Sequence, residues 1–252
     1  MLSDWTLWLE WFIKSVIVIL ALLTGFAYLT WYERRALARI QARIGPNRAG
    51  PQGLLQPIAD AVKLIFKEEL TPAKADKVLF FWAPVVTMVP SIILAAVIPW
   101  GTSFHAFGRE IQLHLADINV GVLYIMSIAS IAVYGIVLAG WSSNNKYAML
   151  GGLRSSAQMI SYELTLGLSF VTAIILANSM RLRDIVDAQH GMWFVVIQPV
   201  GAVIFWIATL AEVNRAPFDM PEAETEIAEG IFIEYSGSAY ALVKLTKYIM
   251  FF

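Results

Sequence analysis

The chain contains no cysteine. By itself it therefore forms no disulfide framework, all-thiolate iron–sulfur site or cysteine-based zinc site. Charge is scarce too: Asp, Glu, Lys and Arg make up 15% of the 252 residues, and the formal net charge is -1. A nucleic-acid binder needs a concentrated basic surface, and a disordered chain needs low hydrophobicity, so both classes are excluded. No internal repeat, low-complexity tract or inter-domain linker is visible, which leaves residues 1 to 252 as a single membrane domain. Residues 1 to 10 hold Asp4 and Glu10 but no Lys or Arg, so they lack a signal-peptide n-region and the first apolar stretch is expected to be retained. What is present is apolar: 58% hydrophobic and 13% aromatic residues, with a mean hydropathy of +0.65. This composition predicts an all-α, polytopic membrane helix bundle.

A spanning helix needs about 20 mostly apolar residues. Five full spans are predicted, at residues 12 to 32, 78 to 100, 119 to 141, 157 to 180 and 192 to 211, with Pro199 kinking the fifth. A partial sixth begins near Ser238 and reaches Phe252. Lys and Arg number twelve in the loops 33 to 77, 142 to 156 and 212 to 237, against three in the N-terminus and loops 101 to 118 and 181 to 191. Positive charge is retained on the cytoplasmic side, so the N-terminus is expected to face the periplasm or its organellar equivalent.

The first basic loop opens with RIGPNRAGPQG, whose Gly-Pro pairs at 45–46 and 50–51 impose turns. From Leu54 to Glu69 apolar residues recur at helical spacing, while Gln56, Asp60, Lys63 and Lys67 line one face. Sixteen residues with internal charges are too short and too polar to span, so this amphipathic helix should lie in the interface plane. It either packs on the bundle or turns its polar stripe toward a site beneath a peripheral partner.

Two acidic features stand out. Glu163 lies inside the fourth span, where a charge costs about 2.5 to 3.5 kcal/mol and normally faces a pathway. Residues 211 to 237 carry seven acids and one basic residue, Arg215. If 221 to 230 is helical, Glu222, Glu226 and Glu229 share a face and Asp219 extends the row, giving a set of carboxylates that titrates as one. A solvated acidic loop is the competing reading. The histidines, His105, His114 and His190, all fall in loops on the side poor in positive charge, and no metal site is assigned.

The run GPNRAGPQGLLQPIADAVKLIFKE, Gly45 to Glu68, resembles a signature of the H-type (subunit 1) membrane protein of respiratory complex I, NADH:quinone oxidoreductase. PFDMPEAETE, Pro217 to Glu226, resembles a second signature, EYSG follows at 234 to 237, and AGWSSNNKYAMLGGLRSSAQMISYE matches from Ala139 to Glu163. The resemblance implies a membrane-arm subunit of a proton-pumping oxidoreductase, with no redox centre or catalytic residue of its own, that helps form the quinone chamber and the start of the proton path. Quinone would be the substrate, and iron–sulfur clusters and flavin would sit in partner subunits. The partners implied are the iron–sulfur subunits of the peripheral arm, small membrane subunits and the lipid bilayer. By motif position the resemblance assigns quinone-chamber roles to Arg34, Arg43, Asp60 and Phe218, and proton-path roles to Glu163, Glu212, Glu222, Glu224, Glu226 and Glu234, with Arg215 as a charge partner.

Two departures accompany it. Thr246-Lys247-Tyr248 stands where the family usually has Ala-Glu-Tyr, so that Lys247 either pairs with the acidic loop or interrupts the proton path. The family's C-terminal spans also lie beyond the matched region, so the chain is expected to lack them. Competing readings are the equivalent subunit of a membrane-bound hydrogenase or ferredoxin-dependent relative, an autonomous transporter, and a structural anchor.

Overall fold

In a bilayer no water satisfies backbone N–H and C=O groups, so apolar runs of this length close their hydrogen bonds internally as helices. The computed structural model describes residues 4–101, 103–106, 109–220 and 227–251. Helix α1 runs Asp4–Ile40, α2 Gln56–Phe66, α3 Lys77–Leu94, α4 Gly121–Ser142 and α5 Lys146–Ala177. Short helices α6 (Leu182–Asp187) and α7 (Phe194–Ile197) lead to α8 (Pro199–Glu212), and α9 (Gly237–Ile249) ends the described fold. Among the described residues α1, α3, α4 and α5 are long and apolar enough to cross a membrane, while α8 is a shorter apolar helix.

The polytopic helical bundle agrees with the sequence; α1 extends past 12 to 32 at both ends and α3 stops at Leu94, short of 100, and three further differences have a local cause. The fifth span is divided: Gln198 leaves helical geometry (φ -129°, ψ 70°) and Pro199, which has no N–H, starts α8 afresh. The fourth helix begins at Lys146, well before 157, because the Asn145 side chain accepts the Tyr147 amide and caps it. Its small residues then bury rather than loop; a Cβ on Gly151 would sit 2.7 Å from the Gly230 Cα. Lastly, no helix continues through 230: Ala228 and Glu229 both have positive φ (48° and 67°), and Gly230–Phe232 is a 3-10 turn. Glu229 therefore does not share a helical face, and Glu222, Glu224 and Glu226 lie outside the described residues. A short antiparallel hairpin, Phe104–Ala106 with Arg109–Ile111, lies in the loop 101 to 118.

The amphipathic helix is α2, shorter at both ends than 54 to 69. It carries Pro57 in its first turn, buries none of its residues fully and packs on α1 and α9. Long α1 sets the frame. From Trp11 to Trp31 it rises about 30 Å, the thickness of the hydrocarbon core, with exposed Trp5 and Trp8 beyond one end and Tyr32 beyond the other. At the centre α3, α4 and α5 pack tightly. A Cβ on Gly135 would collide with the Thr87 Oγ1, so only glycine allows this α3–α4 crossing.

Contacts between loops sort them onto two ends, as the alternating spans require. At the basic end Asp76 N donates to Ser142 O and Leu70 N to Ser236 Oγ. At the opposite end Ala116 N donates to Ala96 O, and Arg181 forks onto Asp117 through two bonds of 2.7 and 2.5 Å. The segment after α8 folds back into the core at the basic end. Ile231 and Phe232 join Val133, Ile136, Met159 and Val243, while Tyr235 stacks on Phe80 at 4.2 Å and donates to its carbonyl. Burial pushes the Tyr235 phenol up to about 12, so it stays neutral.

Candidate functional site

The charged residues of the basic end gather where α1 leaves the apolar layer. Glu33 and Arg34 are neighbours on α1, and about 100° of helical turn separates their directions. Arg34 Nη1 reaches Asp60 Oδ2 of α2 at 2.5 Å, and the other Asp60 oxygen accepts from Gln56 Nε2 at 3.1 Å. Lys63, one turn on, stands 3.9 Å from Asp60. The polar stripe of α2 is thus drawn onto α1, while Ile58, Val62, Ile65 and Phe66 stay exposed along its apolar side.

Glu33 points to a different partner. Its Oε1 accepts from Arg215 Nη1 at 2.6 Å, and the Arg215 guanidinium lies 4.6 Å over the Tyr248 ring of α9. Two further contacts hold the same stretch after α8. Gln158 Nε2 of α5 donates to Phe218 O at 2.7 Å and Ala211 O at 3.3 Å, and Asp219 lies 3.5 Å from Lys247 of α9. The Phe218 ring meets Tyr162 edge-on at 5.0 Å. The stem of the acidic segment is therefore fastened to α1, α5 and α9 at once.

Deeper in the bundle, Glu163 accepts from the Ser130 hydroxyl of α4. Glu212, at the end of α8, is 7% exposed, and neither carboxylate oxygen has a hydrogen-bond partner among the described residues. It is close enough to Glu163 for the two like charges to repel. Glu212 borders two cavities. One, of about 40 Å³, also touches Thr87, Asn214, Thr246 and Lys247; the other, of about 200 Å³, is lined mainly by apolar residues including Leu22, Phe170 and Phe205. The smaller has room for ordered water beside the carboxyl, whose burial without a partner is otherwise costly.

The structure thus brings Arg34 to Asp60, Glu163 to Glu212, and Arg215, Phe218 and Asp219 into one stem. It does not bring in Arg43, which lies beyond α1, exposed, with its Nε donating to Gln41 Oε1 at 2.7 Å. Glu234 accepts from Asn145 Nδ2 at 2.7 Å and so braces the start of α5. Sequence reasoning missed Glu33, Gln158, Ser130 and Tyr248. An acid at the polar end of the first span, beside Arg34, was the available signal for Glu33; its partner is 182 residues away.

These features define a class: a polytopic α-helical membrane protein with ion pairs at one end of the bundle and two further carboxyl groups, half-buried Glu163 and buried Glu212, within it. Residues 13–252 match the family model described as NADH dehydrogenase, and the chain belongs to that family. It is 53% identical over 236 residues to an H-type subunit of NADH-quinone oxidoreductase from Geobacter metallireducens, covering 94% of this chain and 72% of that one. It is 48% identical over 256 residues to the H-type subunit of NADH-quinone oxidoreductase from Thermomicrobium roseum, covering 98% and 75%. The H-type protein from Rickettsia bellii is 51% identical over 239 residues, covering 94% and 68%.

Proposed function

We propose that this chain is the membrane-arm, H-type component of a proton-translocating NADH:quinone oxidoreductase. The observation that carries the reading is family membership over nearly the whole chain, joined to an ion-paired cluster at the foot of an amphipathic helix. With no cysteine in the sequence, the chain supplies no thiolate for an iron–sulfur cluster, so electrons reach quinone from clusters, and ultimately flavin, held by peripheral-arm subunits. The site suits a quinone, whose polar headgroup needs hydrogen-bonding groups and whose tail needs apolar surface. Arg34 and Asp60 offer the first, and the exposed apolar side of α2 offers the second.

Reduction of a quinone to a quinol takes two electrons and two protons, so charge changes at the headgroup are felt by nearby carboxylates. Arg34 and Asp60 orient the headgroup, Phe218 adds an aromatic wall, Arg43 stands outside this cluster on the approach to it, and Asp219, Glu222, Glu224, Glu226, Glu229 and Glu234 bear the acidic segment's share of the proton path. Glu212 and Glu163 carry protons into the bundle, and Arg215 holds the stem between the two sites. The N-terminus faces the periplasm or its equivalent, and residues 1 to 252 fold as one membrane domain.

The test is purification in mild detergent through a tag on this chain, with subunits identified by mass and iron, flavin and nickel measured. Iron–sulfur and flavin subunits without nickel are expected. Nickel would replace this reading with a hydrogenase-type complex, and a chain recovered alone would overturn membership of any such assembly.

A further inference from the structure

Lys247 is the feature that the functional reading does not absorb. Its side chain is 12% exposed, on a helix packed against α1, α2 and α3. Burying an ammonium is expensive, and an aliphatic side chain of equal length would fill the same space at lower cost. The position therefore uses the charge. What the ammonium meets is Asp219 Oδ1 at 3.5 Å, and its field also reaches Glu33. Tyr248, the next residue, supports Arg215, which pairs with Glu33. Two carboxylates, Glu33 and Asp219, thus stand among two cations, Arg215 and Lys247, and this foursome is electrically neutral. The other titratable groups described on this side of α9 are Glu212, which shares the cavity of about 40 Å³ with Lys247; Tyr248, which touches Arg215 and Glu33; and Lys244, whose ammonium lies 4.9 Å over the Tyr240 ring.

Asp219 is also where the stem hands over to the stretch bearing Glu222, Glu224 and Glu226. Gln158 fixes the stem one residue earlier, at the Phe218 carbonyl. We infer that Lys247 is a positioning residue: its pairing with Asp219 sets the point on α9 from which the acidic stretch departs and balances the charge of that departure point. This rests on the reading of the acidic segment as part of a proton path. The lysine therefore fastens the path's entrance rather than blocking it.

The test uses the intact complex purified through this chain. In Lys247→Met the foursome carries one excess negative charge. Assembly should persist, proton-coupled quinone turnover should fall roughly tenfold, about the worth of one charge-assisted hydrogen bond, and the infrared spectrum should gain a protonated-carboxyl band that Asp219→Asn removes. Lys247→Arg should behave as the parent. Parent-like turnover and spectrum in Lys247→Met, or a Lys247→Arg complex as impaired as Lys247→Met, would overturn the inference. If Lys247→Met fails to assemble, Asp219→Asn, which leaves α9 untouched, should show the same loss of turnover, and parent-like behaviour there overturns it too. A parent complex that reduces no quinone refutes the functional reading instead, while the infrared band still tests the pair.

Discussion

Glu163 and Glu212 are two acids that a membrane interior would ordinarily exclude, and their surroundings differ in kind. Glu163 has the Ser130 hydroxyl to bond with. Among the described residues Glu212 has no hydrogen-bond partner, only the cavities at its sides and the repulsion of Glu163. Two carboxyl groups near each other inside a bundle are suited to pass a proton between them. Glu163→Gln keeps the size and the bond from Ser130 but cannot ionise. Proton translocation per electron should fall by roughly tenfold or more with the complex still assembled, read as the proton-to-electron ratio in sealed vesicles; an unchanged ratio would remove Glu163 from the path. Glu163 was legible because an acid inside a span is conspicuous. Glu33 was not, because its meaning depends on Arg215, which the fold brings back from the far end of the chain.

Element boundaries were legible where one force decided them. Apolar length located α1, α3, α4 and α5 but not the division of the fifth span, and the Gly-Pro pairs located the turn out of α1. Boundaries that rest on tertiary contact were misplaced. The small-residue run before 157 looks like a loop until α4 and the 230 turn pack against it. The spacing of Glu222, Glu226 and Glu229 suggests a helix through 230, but left-handed Ala228 and Glu229 keep Glu229 off any such helical face. The opposite end offers a measurable case of contact between loops. The Arg181 guanidinium, bonded to Asp117, holds that carboxyl below the usual range for aspartate. A depressed native value means the bond stabilises the fold above the unfolded value, near pH 4, and the stabilisation is lost as pH falls through the native value. Asp117→Asn should lower the thermal midpoint near neutral pH, and the gap from the parent should close in acid. A gap independent of pH would assign the effect to packing.

For the whole molecule, the absence of cysteine provides a clean labelling background. If the N-terminus lies on the periplasmic side, as proposed, His190→Cys in intact cells should react with a membrane-impermeant thiol reagent, and Lys74→Cys should react only after the membrane is opened. The reverse pattern would invert the topology while leaving the bundle as described. Sorting of the loops to two ends was readable from span counting; the depth at which each helix sits was not, because depth depends on breaks such as that at Gln198.

That break ties the fold to the thickness of its solvent. At 1.5 Å per residue α5 extends about 48 Å and α8 about 21 Å, against a hydrocarbon layer of about 30 Å. Lipid tails beside α8 therefore meet polar backbone sooner than tails beside α5. The backbone freed at the break is satisfied within the protein, with Gln198 N donating to Phe194 O and the Gln189 side chain accepting from Phe194 N. The short α8 packs directly on the long α5, so Glu212, at the end of the short helix, sits beside a neighbour that reaches further through the layer than its own helix does.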